Sequence, residues 1–164
     1  MPAYLYRMPS GIPGDVTRYS VSTIEPVPTD SSNPFASFGI PGKIVSGKFV
    51  PLASGDTDVK VYGFLVRAYP TQNGVNQALG ADTPLAGVMG NVLRRGYIAV
   101  KLNAGVAALG APVYVRVGGA TDSQPIGGIE AAADATAGNT IELANCTFMS
   151  AADASGNVEI AYNL

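Results

Sequence analysis

From residue 43 onward, hydrophobic and polar positions alternate with a period of two, which predicts strands half-buried in a sheet. Lys43–Val45 and Lys48–Leu52 flank a Ser46-Gly47 turn. Val59–Tyr69 is the longest candidate strand, and Gly63 in its middle marks a bulge or a close backbone approach. Tyr97–Leu102 sets Ile98, Val100 and Leu102 on one face, and Val113, Val115 and Val117 share a face opposite Tyr114 and Arg116. Further on, Cys146 and Phe148 oppose Thr147 and Met149, and Ser155-Gly156-Asn157 makes a turn. The last strand directs Val158, Ile160, Tyr162 and Leu164 inward against Glu159, Ala161 and Asn163. Glycine clusters at 118–119, 127–128 and 138 separate these runs. Glu130–Ala137 has helix propensity but no apolar stripe, and reads as strand plus turn. Short strands at such spacing predict an all-β sandwich or barrel.

The first 41 residues follow no such pattern. Seven of the twelve prolines fall here: Pro2, Pro9, Pro13, Pro26, Pro28, Pro34 and Pro41. Proline lacks a backbone N–H and restricts the residue before it, so helix and central strand are both excluded. The expectation is an extended arm with one edge strand at Thr17–Ile24 (residues 1–41), followed by a single β-sandwich domain (residues 42–164). Ordering each arm residue costs about 1–2 kcal/mol of backbone entropy. Tyr4, Leu5, Tyr6, Met8 and Ile12 offer the surface that would offset it against a partner chain.

Composition narrows the function. The 164 residues suit one compact domain, and 47% of them are hydrophobic against 13% charged, about half the usual charged share. A surface so poor in charge is expected to face other protein. The net charge of −2 is spread without blocks, so no basic stripe is present to neutralise phosphates, and direct nucleic-acid binding is not expected. There is no histidine, which removes the Ser-His-Asp and Cys-His constellations and most zinc and iron sites. The single cysteine, Cys146, forms no internal disulfide, in keeping with a reducing compartment. No signal-type N-terminus and no apolar run of about 18 residues is seen, so the expectation is a protein kept on the cytosolic side of export, with no membrane partner.

Several motifs invite a chemical reading and fail it. Gly42 to Lys48 matches G-x-x-x-x-G-K, but Phe49-Val50-Pro51 follows where a magnesium-binding hydroxyl and a helix are needed, so a hairpin is expected. Asn145-Cys146-Thr147 is a chance glycosylation triplet in a chain without a secretion signal. Asp56-Thr57-Asp58 reads as a solvated turn rather than a calcium site. Cys146 on an alternating strand reads as a small core residue, with no histidine to activate it. No metal, cofactor or catalytic residue is expected. Arg94-Arg95 is the densest charge; it reads as a solvated strand end or as a contact with an acidic partner surface. Eight tyrosines stand against no tryptophan, and Tyr4, Tyr6, Tyr19 and Tyr69 lie outside the obvious core, where tyrosine suits protein interfaces.

Phe38-Gly39-Ile40, Ile44 to Gly47 and Tyr62-Gly63-Phe64-Leu65-Val66-Arg67 stand in the order found in the first half of the tailed-bacteriophage structural cement proteins. Arg95-Gly96-Tyr97-Ile98-Ala99-Val100-Lys101, Gly110 to Arg116 and the closing stretch Phe148 to Leu164 continue the likeness. Residues 38–164 thus resemble this capsid-decoration family; residues 1–37 have no counterpart in it. The resemblance implies a β-sandwich, jelly-roll-like, seated on the outside of an icosahedral shell assembled in the bacterial cytoplasm. It implies binding to the major capsid protein and to other copies as a dimer or trimer at a symmetry axis, clamping subunits against internal DNA pressure without catalysis or cofactor. Tyr4, Tyr6, Arg7, Ile12, Arg94 and Arg95 are the expected interface residues. A host-attachment or carbohydrate-binding β-sandwich is the alternative, disfavoured by the lack of tryptophan. A hydrolase using two of the aspartates or glutamates is a third reading, with no carboxylate pair in a recognisable motif.

Overall fold

The computed structural model describes residues 11–57, 60–67 and 83–164. Among these the chain is all-β, with one 3-10 turn at Tyr19–Val21. Nine strands follow in order: β1 Thr23–Pro28, β2 Pro41–Val45, β3 Lys48–Pro51, β4 Gly63–Leu65, β5 Met89–Ala104, β6 Pro112–Arg116, β7 Ile129–Glu130, β8 Thr140–Phe148 and β9 Asn157–Tyr162.

β5 organises the molecule because it belongs to two sheets. Its first half, Met89–Arg95, pairs with β1 on one side and β4 on the other, and β4 leads on to β2 and β3. Its second half pairs antiparallel with β9 over Gly96–Lys101 and parallel with β7 over Leu102–Ala104. β7 pairs with β6, β6 with β8 and β8 with β9, so the hydrogen bonding of this second sheet returns to β5 and closes on itself. The switch between sheets falls at Gly96, whose φ of 129° lies outside what other residues adopt readily. A Cβ there would stand 2.2 Å from Ser22 Oγ.

The two sheets share one core, consistent with the expected β-sandwich. Phe64 and Leu93 of the first sheet meet Ile98, Val113, Val115, Phe148, Val158 and Ile160 of the second in one continuous core. The Phe64 and Tyr162 rings meet edge-on at 5.1 Å. The other face of the first sheet has its own small core, where Val27, Phe35, Phe49, Leu65 and Val92 gather.

The β2–β3 hairpin forms where the turn chemistry placed it. Ser46 (φ 50°) and Gly47 (φ 77°) both take the left-handed conformation of a two-residue hairpin loop. Gly63 is a close approach: a Cβ would stand 2.3 Å from Leu93 O. The strand around it spans only Gly63–Leu65, and Val59 and Tyr69, the ends expected for it, lie outside the described residues. Glu130 ends β7 and the following stretch is turn, as expected. Val158, Ile160 and Tyr162 are buried as the alternation required. Leu164 is not: Asn163 (φ 53°) turns the backbone and leaves Leu164 52% exposed.

From Gly11 on, the proline-rich stretch alternates extended segments with turns at 13–14 and 19–21, and it lies along its own chain. Gly14 N–H donates to Ala99 O (2.8 Å), Ala99 N–H to Asp15 O (2.8 Å), and Thr17 N–H to Tyr97 O (3.2 Å). Arg67 N–H donates to Gly14 O at 2.8 Å. The edge strand is displaced from the expected Thr17–Ile24 to Thr23–Pro28, because Tyr19–Val21 turns and Ser22 Oγ caps the turn on Arg18 O. Pro26 and Pro28 are tolerated inside β1 because its pairing with β5 uses only one side.

Candidate interaction surface

The described charges are largely spent inside the molecule. Arg94 holds its guanidinium carbon 3.5 Å from the Tyr62 ring centroid and donates from Nη1 to Tyr62 O at 2.8 Å. Its Nε stands 3.8 Å from Glu25. Arg95, the next residue, points to the opposite side of the strand and is exposed. Of the two, Arg94 is engaged by Tyr62 and Glu25 and partly exposed, and Arg95 is exposed. Arg18 stacks on Tyr97 and reaches Glu159 at 2.8 Å, fastening the N-terminal stretch to β9. Ile12 is half-buried in a turn where its N–H meets the Asp15 carboxylate. Tyr19 stands exposed on the 3-10 turn, and Tyr4, Tyr6, Arg7 and Tyr69 lie outside the described residues.

Arg116 shares the face expected for it, opposite the valines, but that face is covered by the loop after β7. Arg116 is 1% exposed. Its Nε and Nη2 grip Glu130 (2.5 and 3.1 Å), Nη2 also reaches Asp134 (2.7 Å), and Nη1 donates to Gly118 O and Gly119 O. Every donor direction of the fork is used, the condition under which a buried charge is tolerated. Thr136 N–H, and then Arg116, hold the Asp134 carboxyl below its ordinary value. The network ties two loops to β6 and β7, and of its side chains only Asp134 is partly exposed.

The other motifs resolve plainly. Gly42 to Lys48 is the β2–β3 hairpin, with Lys43 on Asp56 and Lys48 on Asp30. Asp56 is fully engaged, since it also accepts Ala53 N–H; Asp58 lies outside the described residues. Cys146 sits in the main core, where burial pushes its thiol up to about 12, so no thiolate is at hand near neutral pH. A shallow groove separates Lys60–Tyr62 from Ile141–Asn145; among the described residues its one carboxylate is Glu142.

What the body does present is aliphatic. The β5–β6 loop carries Val106 (87% exposed) and Leu109 (73%) on either side of Ala107, which is buried in the main core. The loop is rigid: Gly110 N–H donates to Phe148 O, Ala111 N–H to Ala108 O, and Gly105 and Gly110 take left-handed turns (φ 81° and 78°). No residue from 102 to 115 is charged. At the opposite end of β5 stand Leu85 (70%), Val88 (42%) and Met89 (62%). Here too the backbone is fixed, because Thr29 N–H and Oγ1 both donate to Val88 O, and Val88 N–H donates to Thr29 Oγ1. Sequence reading missed both places. The uncharged run bracketed by Gly105 and Gly110 was the available signal for the first.

Among the described residues, then, the charges are mostly paired, the cysteine is buried and the two ends of β5 are aliphatic. Among solved structures, a chain from the capsid of Myoviridae phage XM1 has the same fold, with a TM-score of 0.71 at 16% identity, covering 98% of this chain and 95% of that one. No curated protein matches. A family model matches residues 1–162, and the class it defines is the structural protein of a phage virion. The family is that of the XM1 gp53 minor capsid proteins, and the chain belongs to it. The match reaches residue 1, so it takes in the proline-rich stretch that the cement-protein resemblance did not cover. Membership implies a non-enzymatic role and association with the capsid and its major protein.

Proposed function

We propose that this chain is a cement protein, bound to the outer surface of the shell, that clamps neighbouring major capsid subunits against the pressure of packaged DNA. Membership of a minor capsid family carries the reading. The low share of charged residues, 13%, supports it, because such a surface is stable when other protein covers much of it. A clamp needs stiffness in its body and adhesion at its margins, and two sheets sharing one strand supply the first. Tyr4, Tyr6 and Arg7 add contacts from the N-terminus, and copies meet around a symmetry axis as a dimer or trimer. Modest affinity at each contact is enough when many act together.

The test compares full particles made with and without this chain. Particles lacking it release DNA at lower temperature or milder osmotic shock than complete ones, and intact complete particles bind an antibody raised against the chain. Equal robustness of both preparations, or an epitope reachable only after disruption, overturns the reading.

A further inference from the structure

We infer that the protein bridges through two aliphatic contacts at opposite ends of β5, Val106 with Leu109 at one end and Val88 with Met89 at the other. Each seats in an uncharged, apolar recess on a shell subunit. The inference rests on the capsid reading above and specifies which surface performs it.

Geometry comes first. β5 has 16 residues, a contour of about 50 Å at the usual strand rise. One aliphatic patch immediately precedes and begins it, and the other immediately follows it. The strand changes sheets at Gly96, so its two ends belong to different parts of the body and can meet two different neighbours, which a single patch cannot do.

Preorganisation comes second. The backbones under both patches are held by hydrogen bonds from Phe148 and Thr29, so seating the side chains orders little that is not already ordered. Charge gives the partner's chemistry: residues 102–115 and 83–93 include no Asp, Glu, Lys or Arg, so an apolar recess complements them.

Area decides the occupant. Each patch exposes on the order of 200–300 Å², against about 800 Å² per partner in a stable complex. A free dimer through one patch would not persist. On a shell the two contacts reinforce each other, because the first raises the effective concentration of the second.

The experiment uses particles assembled with variants of the full chain. Val106→Asp with Leu109→Asp, and separately Val88→Asp with Met89→Asp, are each retained on washed particles at less than a tenth of the unaltered level. Val21→Asp, at an exposed site beside the middle of β5, is retained normally. Circular dichroism checks each fold, and serine replaces aspartate wherever a variant fails to fold. Normal retention of either end variant overturns the bridge, and so does loss of the Val21→Asp control, which would mean unspecific apolar adhesion. Association of the free unaltered chain in sedimentation, abolished by the same end variants, would put a sister copy on the patch and also overturn it. Absence of the unaltered chain from particles would instead refute the capsid reading itself.

Discussion

Removing Glu130 takes two hydrogen bonds from the buried Arg116 guanidinium and leaves Asp134 as its remaining counter-charge. Glu130→Ala is therefore expected to cost about 1.5–3 kcal/mol in chemical denaturation, while Arg116→Met combined with Glu130→Leu recovers most of that loss. A double variant no more stable than Glu130→Ala would mean that the loops at 118–119 and 134–139 need the charge itself. Sequence alone could place Arg116 opposite Val113 and Val115, since that follows from the pleat. It could not show that the second face is covered, because the cover is a loop connecting β7 to β8. Cys146 was legible for the opposite reason: its environment follows from the alternation of its own strand. Arg94 was legible only as a charge; Tyr62 and Glu25, which occupy it, lie far off in sequence.

Elements with local partners were the easiest to read. The β2–β3 hairpin follows from a two-residue turn, and β9 from its own period of two. The first half of β5 escaped notice because Val92 and Leu93 face different cores, which erases the alternation a half-buried strand shows. The segment 11–17 escaped as well, since its partners Ala99 and Arg67 are remote. That segment is part of the fold, which sets where the N-terminus can be cut. Removing residues 1–10 spares every described hydrogen bond of the strap. Removing residues 1–17 deletes the bonds from Gly14, Asp15 and Thr17 and the Val16 side chain from the core, and lowers the melting temperature by on the order of 10 °C. Equal melting of the two truncations would show that the strap contributes no stability.

At the scale of the whole molecule, β5 makes the two sheets one cooperative unit. The main core takes side chains from both, and no described boundary crosses it. Heat should therefore unfold the chain in one transition, with calorimetric and van't Hoff enthalpies in agreement. Two resolved transitions would mean that the sheets melt independently. The all-β class and the sandwich packing were legible from period and turns. The sharing of one strand between sheets was not, because strand pairing is set by distant contacts rather than by the pattern of either partner.

The closed hydrogen bonding of the second sheet and the prolines along β1 have a final consequence. A strand with a bare margin invites another chain to extend it, and identical molecules crowded side by side then template fibres. Here one sheet has no margin to offer, and on the other Pro26 and Pro28 withhold donors along the β1 margin, while at the β3 margin Phe49 already bridges to Thr29 and Pro51 ends the strand. Copies crowded together thus meet few free backbone donors at these margins, and strand-by-strand growth from one molecule to the next is disfavoured.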